Sequence, residues 1–205
     1  MNYILELLIT LPAILIAITV HEFFHAYTAV KMGDRTPEYY GRLSLNPMHH
    51  LDLLGTLMLI FAHFGWAKPV PINPNNFRDY NKGIILVSIA GPLSNIGMAL
   101  IASFFYKPIA HIGNPYLIDF FGFFILINVV LAIFNMLPIP PLDGSRLLTT
   151  FLPSKYDNIT RFLERYGIFI IIIIVLSDRY TGILSGFFNA VVYPIVNFLI
   201  NLMPW

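Results

Sequence analysis

The stretch Ile14-Leu15-Ile16-Ala17-Ile18-Thr19-Val20-His21-Glu22-Phe23-Phe24-His25-Ala26-Tyr27 decides how this chain is read. It is apolar apart from Thr19, the terminal Tyr27 and three ionisable groups gathered into positions 21–25. On a helix, positions i and i+4 share a face, so His21 and His25 can point at one ion. Glu22, beside the first imidazole, can reach a metal-bound water. An amphipathic surface helix is the bland alternative, but residues 7–30 supply Ile, Ala, Val, Phe and Tyr where it needs polar neighbours. Ionisable groups inside so apolar a segment are expensive and mark function. The stretch therefore reads as a metal site within a membrane span.

Working outward, the composition agrees. Hydrophobic residues make up 57% of the 205 positions and charged ones 11%, against about 25% charged in soluble globular proteins. A chain of this size cannot hide so much apolar surface in one core, so the bilayer must solvate it. The net charge of +1 comes with no basic block, which excludes nucleic acid as a partner. With no cysteine, disulfide scaffolds, thiolate metal sites and cysteine nucleophiles are excluded too. Residues 83–106, 120–142 and 180–205 are free of Asp, Glu, Lys and Arg, and each reaches the roughly 20 residues that a spanning helix requires. Residues 166–177 are short and need Arg161 and Arg165 to snorkel at their edge. The opening segment lacks a basic n-region and a small-x-small cleavage site, so it is expected to be retained. The expected fold is an all-α polytopic membrane protein with about five transmembrane helices, a re-entrant or interfacial segment, and short β-like surface loops at 31–52 and 68–82.

Two imidazoles do not complete a catalytic zinc site, which usually takes three protein ligands and an open position. Asp143 is the best third donor. It follows the apolar run directly in Asn135-Met136-Leu137-Pro138-Ile139-Pro140-Pro141-Leu142-Asp143-Gly144, where the prolines cannot continue a helix. Irregular backbone at that depth must be buried in protein or line a wet cavity, which would aim Asp143 inward, with Gly144 allowing the turn. A helix-capping aspartate is the competing reading. His63 and His111 read as packed or interfacial histidines. His49, His50 and Asp52 read as solvated loop residues, with lining of the site as the alternative. Gly91, Ser94 and Gly97 read as helix-packing positions, and Asn95 needs a hydrogen-bond partner at depth.

These residues also carry a resemblance. His21-Glu22-x-x-His25, Ala90-Gly91-Pro92-Leu93-Ser94-Asn95 and Asn135-x-x-Pro138-x-x-Pro141-Leu142-Asp143-Gly144 resemble, in order and spacing, the three signatures of the site-2 protease family of intramembrane zinc metalloproteases. Gly41-Arg42-Leu43-Ser44-Leu45-Asn46-Pro47 and the stretch from Gly65 to Pro74 resemble its compact prokaryotic branch, without room for a PDZ or CBS domain. The resemblance covers about residues 10–145. It implies one zinc per chain held by His21, His25 and Asp143, Glu22 as general base, and Asn135 helping to hold substrate or the oxyanion. It implies an endopeptidase acting on transmembrane protein or peptide substrates. On this reading residues 1–145 are the metalloprotease core and residues 146–205 add further helices of the same domain. A proton or metal transporter with a buried His/Glu/Asp cluster is the runner-up. It should show paired or inverted halves, and no second half matches the first. A scaffold without proteolysis is the other, and the presence of Glu22 counts against it.

Parity then constrains the topology. For His25 and Asp143 to bind one ion they must sit near the same membrane face. The two crossings at 83–106 and 117–137 leave none net for residues 53–66, which should be re-entrant or interfacial. Lys31, Arg35, Arg42, Lys68, Arg78, Lys82, Arg146, Lys155, Arg161 and Arg165 then share one side, and Lys107 and Arg179 the other. That bias makes the first side cytoplasmic in a multi-pass protein of the cell membrane. Oligomeric state is not legible.

Overall fold

A computed structural model describes residues 3–62 and 65–202. His63 and the end of the expected span 180–205 lie outside the described residues. The chain clusters into two compact units, Met1–Ser94 and Asn95–Trp205.

The first unit is built on α1, Tyr3–Met32, 30 residues long. Its buried positions Ile9, Ala13, Ala17, His21, His25 and Ala29 repeat every four residues, so they form one row along the helix. Alanines on either side of the imidazoles keep that row thin. The first turns of α4, Tyr80–Ile112, carry a matching row at Gly83, Val87 and Gly91. Small side chains on both rows let two membrane helices approach closely.

Between these helices lie α2 (Thr36–Tyr39), a 3-10 turn at Pro47–His49 and α3 (Leu53–Ala62). With 10 residues, α3 is about 15 Å long, half the thickness of the hydrocarbon core. Its flanks are tied to each other by an antiparallel bridge between Leu51 and Ala67 and by the Lys68 N–H donating to the His50 carbonyl at 2.9 Å. The two flanks of α3 thus lie side by side. Gly55 permits this closure, since a Cβ there would lie 2.2 Å from the Trp66 carbonyl oxygen.

That bridge is the one β-type pairing among the described residues, so the β-like loops expected from the sequence are a correction. Pro47, Pro69, Pro71 and Pro74 have no N–H for a ladder. Side chains hold the loops instead. Asp34, fully buried, accepts from the Thr36 N–H (3.1 Å) and hydroxyl (2.5 Å), the Asn76 amide (2.8 Å) and the Asn73 N–H (2.7 Å). Burial acts to raise its pKa, and these donors outweigh it, holding the carboxyl below its ordinary value. The Arg78 N–H adds a bond to the Met32 carbonyl at 2.9 Å. The end of α1 is thereby latched to residues 73–78.

The second unit holds the rest of α4, then α5 (Pro115–Asn135), α6 (Asp143–Phe151), α7 (Asp157–Thr181), α8 (Ile183–Phe187) and α9 (Tyr193–Asn201). Asn95 donates to the carboxamide oxygen of Asn128 at 2.8 Å, and Asn128 donates to the Phe124 carbonyl at 2.8 Å. This buried amide pair ties α4 to α5. A π turn, Phe188–Val192, joins α8 to α9, and α9 packs against α5. Among the described residues four helices are long and apolar enough to cross a membrane: Leu5–Met32, Tyr80–Ile112, Pro115–Asn135 and Ile183–Asn201. The protein is therefore an all-α, multi-pass membrane protein. The expected apolar segment 166–177 is continuous with the charged turns around Arg161, Glu164 and Arg165 in α7, a 25-residue helix. It has the length of a span but carries six charged residues, Asp157, Arg161, Glu164, Arg165, Asp178 and Arg179.

Candidate metal centre

His21 and His25 are both buried, and their Nε2 atoms lie 2.9 Å apart. The rings meet edge to face, with centroids 4.6 Å apart. His25 Nδ1 is 2.7 Å from the Val87 carbonyl oxygen. A carbonyl can only accept, so Nδ1 carries the proton and Nε2 presents its lone pair to His21. That is the tautomer a metal ligand requires, set by a bond to the far nitrogen.

The backbone of α4 closes one side of this pair. A Cβ at Gly91 would lie 2.4 Å from His25 Nε2 and 2.6 Å from His21 Nε2. Glycine therefore leaves free the space beside the two nitrogens. The sequence pointed to Gly91 as a packing residue; its position as a wall of the histidine pair was missed. The i+4 row of small residues on α4 is the signal that could have found it.

Glu22 follows His21 on the next position of α1 and is half-buried. In the second unit, α5 ends at Asn135, whose amide donates to the Leu131 carbonyl at 3.0 Å. One amide proton is spent there, and Asn135 keeps a second. The chain unwinds through residues 136–142 and restarts as α6 at Asp143, with Leu142 in the N-cap position. Asp143 is thus the first helical residue, its carboxylate at the positive end of α6, where the macrodipole favours an anion. Two glycines make room for this turn. A Cβ at Gly144 would lie 2.2 Å from the Met136 carbonyl oxygen, and one at Gly167 on α7 would lie 2.1 Å from that of Pro140.

Asp52 accepts from the Gly55 N–H at 2.8 Å and so caps α3. His49 and His111 are exposed, and His111 Nδ1 bonds the Lys107 carbonyl at 2.8 Å. His50 departs from its expected solvated state. It is fully buried, with Nε2 2.7 Å from the Ser44 carbonyl oxygen. Arg42, which the sequence marked as part of a resemblance and as one of the cytoplasmic cations, is buried in the same loop.

Two imidazoles and one carboxylate are the donors of a catalytic zinc site, and His21, His25 and Asp143 form a group that could hold a metal ion. The Gly91 cradle and the His25 tautomer fit that role. The sequence model of Peptidase family M50 matches residues 107–176. A Bacillus subtilis protein named "Putative zinc metalloprotease YwhC" is 38% identical over 184 residues, covering 86% of this chain and 84% of its own. Rip2 of Mycolicibacterium smegmatis, named in the same terms, is 30% identical over 208 residues, covering 97% and 76%. MJ0611 of Methanocaldococcus jannaschii matches 65 residues at 45% identity. No solved structure matches significantly. The chain belongs to peptidase family M50, the site-2 protease family. It is a membrane-embedded zinc metalloendopeptidase.

Proposed function

We propose that this enzyme hydrolyses peptide bonds in or near the transmembrane segments of membrane-protein substrates, with its site toward the cytoplasmic side of the cell membrane. The observation that carries the reading is the convergence of two buried Nε2 atoms at 2.9 Å inside an apolar helix. Nothing in lipid solvates such a pair, so a cation is its natural occupant. His21, His25 and Asp143 would hold the zinc, which when bound would supply Lewis acidity at the scissile carbonyl and acidify a water. Glu22 takes the attacking water's proton and returns it to the leaving amine. The free amide proton of Asn135 meets the developing oxyanion. Residues 1–145 carry this chemistry, and residues 146–205 support it.

A helical substrate hides its carbonyls in its own hydrogen bonds, so it must unwind before attack. Residues 68–73 have no regular secondary structure, and Val70 and Ile72 make no backbone hydrogen bond among the described residues. They offer an edge along which an unwound peptide can lie as a strand.

The test is metal analysis of purified protein beside a cleavage assay. His21→Ala, His25→Ala and Asp143→Ala should each lower bound zinc, while Glu22→Gln keeps it and loses cleavage. Full zinc in Asp143→Ala would remove Asp143 from the site. Orientation is tested in the cysteine-free chain. Single cysteines at positions 36, 76 and 154 should be protected from an impermeant thiol reagent in intact cells and one at 113 labelled. Opposite labelling at 36 and 76 would overturn this topology.

A further inference from the structure

The turn that carries Asp143 has little of its own to hold it. Pro138, Pro140 and Pro141 have no N–H to give. Among the described residues the N–H groups of 138–142 make one backbone hydrogen bond, from Leu142 to the Ile139 carbonyl at 3.0 Å. Helix α6 then starts at Asp143 with no side-chain cap, and Ser145 turns its hydroxyl back to the Leu142 carbonyl at 2.6 Å. Where the Asp143 carboxylate sits is therefore set by what the turn leans against.

Two glycine backbones press on it. Gly144 lies under the start of the turn, where a Cβ would be 2.2 Å from the Met136 carbonyl oxygen and 2.7 Å from that of Leu137. Gly167 comes from α7. A Cβ there would lie 2.1 Å from the Pro140 carbonyl oxygen, 3.1 Å from its carbonyl carbon and 3.3 Å from its nitrogen. All three are backbone atoms, so no side chain can swing aside. Non-bonded heavy atoms settle about 3.5–4.0 Å apart, so an added methyl group demands a shift of more than about 1 Å.

That shift has few places to go. Gly167 and Ile171 are the buried residues of α7, one turn apart on one face. The far end of α7 is tied to α8, where Asp178 accepts from the Leu184 and Ser185 N–H groups at 2.6 and 3.0 Å. On the side of the turn, the ring of Pro141 locks φ near about −65°. Movement of the Pro140 carbonyl is thus passed on to Leu142 and Asp143. Site geometry has to hold to within about 0.5 Å.

We propose that Gly167 is a positioning residue for the metal centre. The bare backbone of α7 at 167 fixes the Pro140 carbonyl, and through Pro141 it sets the Asp143 carboxylate in the group formed with His21 and His25. This rests on Asp143 as a zinc ligand and deepens that reading. It makes α7, which supplies none of the three donors, part of the geometry of the site.

The experiment is a double-mutant cycle on the whole chain in detergent micelles, read as zinc affinity by competition with a chelator. Gly167→Ala should weaken zinc binding about tenfold, the scale for groups that orient a metal ligand. In an Asp143→Ala background the same substitution should change zinc affinity by less than about twofold, because the ligand it displaces is already gone. Cobalt-loaded Gly167→Ala should show the visible absorption of cobalt-loaded Asp143→Ala in place of the parent's, a signature that lost stability alone does not move. Gly186→Ala, where a Cβ meets nothing within 4 Å, should leave affinity and spectrum unchanged. If Gly167→Ala does not fold, Ile171→Ala replaces it, letting α7 recede from Pro140 instead of pressing on it. The same loss of zinc and the same silence beside Asp143→Ala are then expected. Parent affinity and spectrum in the folded variant, or an equal loss in both backgrounds, would overturn the positioning role and leave Asp143 a ligand. Full zinc in Asp143→Ala itself would remove Asp143 from the site, and the role of Gly167 with it.

Discussion

The buried polar groups of the two units differ in kind. Within Met1–Ser94 they are Thr19, His21, His25, Asp34, Arg42, His50 and Ser88, most of them ionisable. Within Asn95–Trp205 they are Asn95, Ser103, Asn128 and Ser145, all neutral. Ser103 and Ser145 return their hydroxyls to the carbonyls of Leu100 and Leu142, at 2.7 and 2.6 Å. The second unit thus buries polarity the way membrane helices ordinarily do, by satisfying it locally or in pairs. The first unit buries groups whose desolvation is far more costly. The difference separates a unit that buries ionisable groups from one that buries neutral ones, and the proposed chemistry draws both of its histidines from the first. Asp143 qualifies that division, since it is a half-buried carboxylate of the second unit.

The sharpest way to break this comparison lies within α4. Gly91→Ala should cost about a hundredfold in zinc affinity, because the new Cβ would sit 2.4 Å from His25 Nε2. Competitive titration against a zinc chelator measures it. Unchanged affinity would show that the backbone at 91 is no wall.

Next in size is the Asp34 latch. Asp34→Ala should cost about 2–3 kcal/mol, since it leaves several donors unmet. The carboxyl pKa is lowered in the folded state, so its contribution is full above the unfolded value of about 3.9 and is lost as pH falls below it. Acid unfolding of Asp34→Asn should therefore lose part of the dependence on pH below about 4 that wild type shows. Identical acid limbs would remove Asp34 as a stabilising carboxylate.

The amide pair should matter less. Asn128→Leu should cost about 0.5–2 kcal/mol, the range for interhelical hydrogen bonds in membranes, and leave zinc content alone. A loss of zinc there would blur the division between the two units. Smallest is Gly97→Ala, where a Cβ meets nothing within 4 Å. It should stabilise by up to about 0.5–1 kcal/mol, the ordinary helix penalty of glycine. Thermal unfolding of Gly97→Ala beside Gly91→Ala compares two glycines of one helix with opposite expected signs.

The sequence shows local periodicity well. Two histidines four apart, a charge-free run and a proline-broken helix end need no distant partner to be read. Parity asked for no net crossing by residues 53–66, and α3 within them is a helix of 10 residues. The loops were harder. Residues 31–52 and 68–82 read as β-like surface loops, and that gave no hint that Arg42 and His50 would be buried.

By itself, the sequence determined that the protein spans a membrane and that His21 and His25 share one helix face, because hydropathy and the helical repeat act within a few turns. The tertiary structure alone decided the proton position on His25, through Val87, 62 residues away. It alone decided the burial of Asp34 under Asn73 and Asn76 and the burial of Arg42 and His50. Each depends on a backbone group brought in from a remote segment. A polar side chain's state in lipid follows from the partner it meets, and the sequence names the side chain without naming the partner.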